Sequence, residues 1–281
     1  MEAVMRSKRP KRRTTWIYIL IILAGLGLLL YPGIARYWNA SVASHEVKSY
    51  TNAVSELTPR DHGGIIAAAE DYNTRLSALD APLSQYELLK DYDSTLLVGD
   101  SPLMGVVNID KIDLKLPIYH GTSNSALADG VGHMEGTSLP LGGTGKHTVL
   151  SAHRGLPGSR LFTDLDKLEE GDIFTVTVLD RTLTYEVDRI IVTLPEETQY
   201  LLPVSGEDYC TLLTCTPYGV NTHRLLVRGK RIDNIKDEVR VTGEAIIVDK
   251  GAVGLALAVP ILLILLLITW IIDRRNRRYG I

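Results

Sequence analysis

Several common signatures are missing from these 281 residues. There is no glycine-rich phosphate loop, no paired CxxC and no HExxH, so neither phosphate transfer nor a zinc site has support. No cofactor and no metal is expected. Cysteine is scarce: Cys210 and Cys215 are the only two. They stand five apart in a run, 209–216, that reads as a strand, and an odd separation turns them to opposite faces. A disulfide between them is therefore not expected. Charge is missing altogether from two stretches, 16–31 and 252–272.

The second uncharged run is long enough to cross the hydrocarbon core as a helix, even with Pro260 inside it. The first, taken as 16–34, reads either as an anchor or as the apolar part of a secretory signal. No small-residue cleavage site follows it, since the next residues are Pro32, Gly33, Ile34, Arg36 and Tyr37, which favours a retained anchor. Arg6, Lys8, Arg9, Lys11, Arg12 and Arg13 precede the first run, and Arg274, Arg275, Arg277 and Arg278 follow the second. The positive-inside rule then puts the basic tails 1–15 and 273–281 in the cytoplasm and the middle of the chain outside the cell. Setting aside those ten cations with Glu2 and Asp273 leaves 20 basic and 31 acidic residues, a net of −11. Membrane lipid is an expected partner through the two spans, and nucleic acid is not.

Between the spans, residues 35–78 read as two helices broken at Pro59 and Gly63-Gly64, a spacer off the membrane. Residues 79–103 read as an exposed loop with a helical turn near 86–90, in the place of a lid or linker. From 104 the texture becomes β. Short strand-like runs stand at 105–109, 114–119, 146–153, 174–178, 183–187, 190–194, 209–216 and 225–227, and those at 174–178 and 183–187 alternate apolar and polar residues. With seven or eight strands and no βαβ rhythm, a small closed barrel over 104–235 is the expected architecture. A linker, 236–251, leads to the second span.

The stretch 207–231, EDYCTLLTCTPYGVNTHRLLVRGKR, reads as two strands joined by a turn at Pro217, Gly219 and Asn221. Cys215 closes the first strand and Arg224 opens the second, so the return brings a thiol and a permanent cation together. A cation beside a cysteine favours the nucleophilic thiolate. The candidate proton partner is His153, at the end of a strand that stops at Arg154-Gly155. Cys210 reads as a small buried hydrophobe. His45, His62, His120, His133, His147 and His223 read as structural or exposed, with His223 on the face away from Arg224.

KIDLKLPIYHGTS (111–123), GVGHMEGTSLPLGG (130–143), SAHRGLPGSRLFTDLDKLEEGD (151–172) and LLTCTPYGVNTHRLLVRGKR (212–231) resemble the sortase family, most of all class C. The resemblance covers roughly 105–232. Its core is Cys, eight residues, then Arg, with the His strand about sixty residues earlier; a second anchor after the domain also fits class C.

The resemblance implies a mostly β, closed barrel of about eight strands, N-terminal helices and a transmembrane helix at each end. It implies a membrane-anchored cysteine transpeptidase with Cys215 as nucleophile, His153 as general acid and base, and Arg224 holding substrate and oxyanion. Its substrates would be pilin subunits carrying an LPXTG-like signal, cleaved between Thr and Gly and joined to an acceptor Lys amine. Thr214 would line the site. Leu212 stands where the family's first Thr before the Cys would be. Class C enzymes carry a lid with an Asp-Pro-aromatic motif; here Asp80-Ala81-Pro82-Leu83 falls in that window without an aromatic. The lid reading pairs Asp80 with Arg224 and lays Pro82 or Leu83 over Cys215. Asp100-Ser101-Pro102 is a weaker lid candidate, and an enzyme without an anchored lid is the alternative. Attachment of proteins to cell-wall peptide, or a non-enzymatic binding barrel, are the other functions kept open.

Overall fold

The computed structural model describes residues 12–99, 101–156 and 158–234. The C-terminal apolar run, the linker before it and Asp100 lie outside the described residues. Eight strands close into a barrel: β1 Leu103–Ile109, β2 Leu114–His120, β3 Val131–His133, β4 Lys146–Ser151, β5 Ile173–Val178, β6 Arg181–Thr193, β7 Asp208–Thr216 and β8 His223–Ile232. Their order around it is β1-β2-β3-β4-β7-β8-β6-β5. Alternation drives the pairing. In β5 Phe174, Val176 and Val178 are buried while Ile173, Thr175 and Thr177 are half-exposed.

Three details depart from the sequence reading. The runs at 183–187 and 190–194 belong to one strand, β6, whose pairing with β8 slips between Val187 and Arg189. The bulge sets Asp188 to receive the Arg228 guanidinium at 3.0 and 2.6 Å. Strand β3 was not foreseen, because three residues among glycines carry no alternation to read. It runs parallel to β2 after the short helix between them, and β4 runs parallel to β7, so one βαβ crossover exists where none was expected.

Among the described residues four α-helices accompany the barrel: α1 Arg12–Glu56, α2 Pro59–Ser77, α3 Pro82–Gln85 and α4 Asn124–Asp129. The chain breaks before Pro59, and Gly63-Gly64 lie inside α2. Thr58 caps α2 through a reciprocal box with Asp61, and Pro59 occupies the first turn, where it is tolerated. That start signal outweighs a glycine cost of about 1 kcal/mol each. The two long helices are more than a spacer. Ala43, Val47, Tyr50 and Val54 of α1, with Ile66, Ala69, Tyr72 and Leu76 of α2, join the barrel's main core. The Tyr50 hydroxyl donates to the Met104 carbonyl (3.2 Å) and accepts from the Leu179 amide (3.0 Å), tying α1 to β1 and to the β5–β6 turn. From Leu20 onward α1 is the one helix among the described residues long and apolar enough to cross a membrane, by length and composition.

Candidate active site

Strands β4, β7 and β8 lie side by side, and their register pairs two of the three expected residues. Cys215 pairs directly with Arg224, and Thr216 with His223, in the antiparallel β7–β8 ladder. The parallel β4–β7 ladder runs from Lys146 opposite Asp208 to Ser151 opposite Leu213. The pairing continues past the end of β4. The Ala152 amide donates to the Leu213 carbonyl (3.1 Å), and the Thr214 hydroxyl donates to the Ala152 carbonyl (2.8 Å). Extended one step past these bonds, the same register would bring His153 opposite Cys215. Thr214 is buried with its hydroxyl committed to this bond, so it fastens two strands together instead of lining the site as expected.

Alternate residues of these strands belong to two different interiors. Leu150, Leu212, Val227 and Cys210 are in the barrel core. Val149, Leu213 and Leu226 form a second cluster on the other face, the face of Cys215 and Arg224. Cys210 is fully buried, and burial pushes its thiol well above its ordinary value; Cys215 is half-exposed, and both are free. The second cluster gives Cys215 an apolar floor. Leu201 and Tyr200 from the β6–β7 connection, Ile191 of β6, Met134 of the β3–β4 loop and Leu83 of α3 complete it. Sequence reasoning missed this floor, although Leu213, two positions before Cys215, carried the signal.

The lid residues divide. Leu83 packs against the floor, and Pro82 and Leu83 lie so close over Gly136 that a Cβ there would meet their backbone at 2.7 Å. Asp80 is exposed, and the Arg224 guanidinium donates instead to the carbonyls of Asn221 (3.3 Å) and His223 (3.2 Å). The expected Asp80–Arg224 pairing is therefore not formed; the segment meets the second cluster through the apolar side chain of Leu83. At its base, Arg75 of α2 pairs with Asp91, and the next residue, Tyr92, is buried.

Two histidines hold the walls. The Ser138 carbonyl can only accept, so His133 Nε2 carries the proton (2.9 Å), and its Nδ1 accepts from the Tyr92 hydroxyl (2.9 Å). By the same logic His147 Nδ1 donates to the Leu202 carbonyl (3.0 Å) and its Nε2 accepts from Thr211 (2.7 Å). Burial holds both rings below the usual histidine value, at about 4. Because the folded value is depressed, the unfolded chain binds more protons in between. Stability is fully present above about pH 6.5 and is lost as pH falls toward 4, by about 1–3 kcal/mol per ring. Thermal melting should therefore drop from pH 7 to pH 4.5, and His147→Gln should flatten the slope. A parent melting temperature level across that range would refute the neutral assignment.

Comparison with known proteins identifies the family of the barrel. Residues 107–232 match the model of the sortase domain. A solved sortase C1 from Streptococcus agalactiae is 48% identical, covering 67% of this chain and 98% of that one, with a TM-score of 0.63. A pilus-related sortase C of group B Streptococcus is 40% identical over 67% of this chain and 97% of that one, with a TM-score of 0.59. Sortase A of Streptococcus agalactiae is 24% identical over 76% of this chain and 82% of its own length. Together with the closed eight-stranded barrel, these likenesses settle the family: the chain belongs to the sortases, cysteine transpeptidases, and among them to class C.

Proposed function

We propose that this enzyme polymerises pilin subunits carrying an LPXTG-like signal, with Cys215, His153 and Arg224 as its reacting groups. The observation that carries the reading is the shared register, which supports a thiol, an imidazole and a guanidinium at one end of an apolar groove. The floor of Val149, Leu213 and Leu226 suits the Leu and Pro that precede the scissile bond.

The Cys215 thiolate attacks the Thr carbonyl carbon, and the electron pair of the C=O moves to oxygen. Arg224 then swings from the Asn221 and His223 carbonyls to bind that oxyanion. Collapse of the intermediate expels the Gly amine, which takes a proton from the His153 imidazolium. A Lys amine of the next subunit attacks the thioester, His153 accepts its proton, and the Cys215 thiolate leaves. The product is an isopeptide bond. Apolar α1 and the C-terminal apolar run hold the barrel at the outer membrane surface, with both basic tails in the cytoplasm.

The test is to incubate the full chain in detergent with an LPXTG-type peptide and weigh the protein by mass spectrometry. A thioester adduct on the parent, absent from Cys215→Ala, is expected, and added pilin should discharge it onto a Lys. An adduct on both proteins would refute Cys215 as nucleophile. Discharge only to a cell-wall peptide amine would shift the function to surface-protein attachment.

A further inference from the structure

Arg154 directly follows the candidate general acid, and its side chain is almost fully buried, with 9% exposure. Its Nη1 donates to the Thr216 hydroxyl at 3.1 Å, and Thr216 directly follows Cys215. Its Nη2 pairs with Asp166, at 2.5 Å, in the short 3₁₀ turn Leu161–Lys167. The same turn holds the flanking backbone. The Phe162 amide donates to the His153 carbonyl (3.1 Å), and the Gly155 amide donates to the Thr163 hydroxyl (3.2 Å).

These bonds form a pattern. Before His153, Ala152 is bonded to Leu213 and Thr214; after it, Arg154 is bonded to Thr216. His153 is thus bracketed on both sides by bonds to the strand that carries Cys215. Strand β4 ends at Ser151, and past the Ala152 amide no backbone bond joins residues 153–154 to β7 among the described residues. A planar, multi-donor guanidinium is suited to replace it, because one rigid group reaches two partners at once. The arrangement has a cost. The Arg154 Nε is buried with no acceptor among the described residues, and an unmet buried donor is destabilising. A residue kept for packing alone would not need a cation there.

We infer that Arg154 is a positioning residue. Its bridge from Thr216 to Asp166 extends the β4–β7 register past the strand end and sets the His153 ring against the Cys215 thiol. The inference rests on the proposed roles of His153 and Cys215. It assigns Arg154 no contact with substrate.

A displacement of about 1 Å between reacting groups costs up to about 100-fold in rate. Arg154→Met in the full chain is therefore expected to slow thioester formation at saturating LPXTG-type peptide about 10- to 100-fold. The half-saturating peptide concentration should stay within about twofold, as for loss of an interaction that acts only on the reacting geometry. Arg154→Lys should recover part of the rate. The second readout needs no substrate: alkylation of Cys215 by iodoacetamide, located by peptide mass, with buried Cys210 unreacted. Arg154→Met should slow that alkylation in the parent and leave it unchanged in a His153→Ala background.

Should Arg154→Met fail to fold, Thr216→Val removes the acceptor without removing the cation and should slow acylation in the same way. It should add no further loss to Arg154→Lys. A parent-like rate in Arg154→Met, or in Thr216→Val, would overturn the inference. So would a raised half-saturating concentration, or a further loss of alkylation in the His153→Ala background, since either means a route other than His153. If His153→Ala itself acylates at the parent rate, the assignment of His153 has failed, and that result is distinct from the others.

Discussion

His153→Ala is expected to slow thioester formation about 100- to 10,000-fold, the range spanned by a positioned proton donor. The half-saturating peptide concentration should change little. The expectation follows from where the residue stands in the register. Ser151 is opposite Leu213 and Ala152 is bonded to Leu213 and Thr214, so the register continued by one residue would make Cys215 the neighbour of His153. The alternatives are excluded by their surroundings. His147 and His133 are buried and held neutral by bonds on both ring nitrogens, and neither can shuttle a proton to the groove without breaking its wall. His223 pairs with Thr216, one position off the Cys215–Arg224 pair and on the opposite face. The loss should appear in both half-reactions, because the group that protonates the leaving amine also deprotonates the incoming one. Rapid-quench acylation and discharge of preformed adduct by an amine measure the two separately. A His153→Ala protein that acylates within about threefold of the parent would end the assignment. A His223→Ala protein as slow as that expected for His153→Ala would move the role to that ring.

Most of this site was legible because its signals are local. Alternation over 209–216, the turn formers Pro217, Gly219 and Asn221, and the Cys-to-Arg spacing all lie within one hairpin, and β7–β8 forms as read. The closure of eight strands was readable from their number and spacing. What failed was information carried across the chain. Strand β3 exists because β2 and β4 flank it, not because Val131-Gly132-His133 has any periodicity. The core role of α1 and α2 could have been found: 43, 47, 50 and 54, then 66, 69, 72 and 76, recur at helical spacing, the mark of a buried stripe. Pro59 and the glycine pair, which read as breakers, mask that stripe. Thr214 was judged by its nearness to Cys215, whereas neighbours along a strand face opposite ways. The lid partner was beyond reach, since nothing in Asp80-Ala81-Pro82-Leu83 names the Val149, Leu213 and Leu226 surface that Leu83 meets.

That lid contact leads to the second large effect. The segment between the Arg75–Asp91 pair and the groove is tied at its base by an ion pair and the buried Tyr92, and at its tip by Leu83. No ion pair joins Asp80 to Arg224, so closure depends on apolar contact. Fully burying a leucine is worth about 1.5–3 kcal/mol; half-buried Leu83 should contribute about 1–2 kcal/mol to the closed state. For peptide to bind on this floor the tip would have to leave, and the apparent affinity would then be reduced by the open fraction. Leu83→Ala should therefore speed acylation at low peptide about 5- to 30-fold. Leu83→Asp should do at least as much, because the closed state would then bury an unpaired carboxylate. The melting temperature should barely change, since the main core is untouched. Asp80→Ala is the control that separates this lid from an ionic one: its side chain is exposed, and the rate should stay within about twofold of the parent. Faster acylation from Asp80→Ala with none from Leu83→Ala would place the latch on the carboxylate and refute the apolar one. No change from either would mean that the segment does not gate the groove.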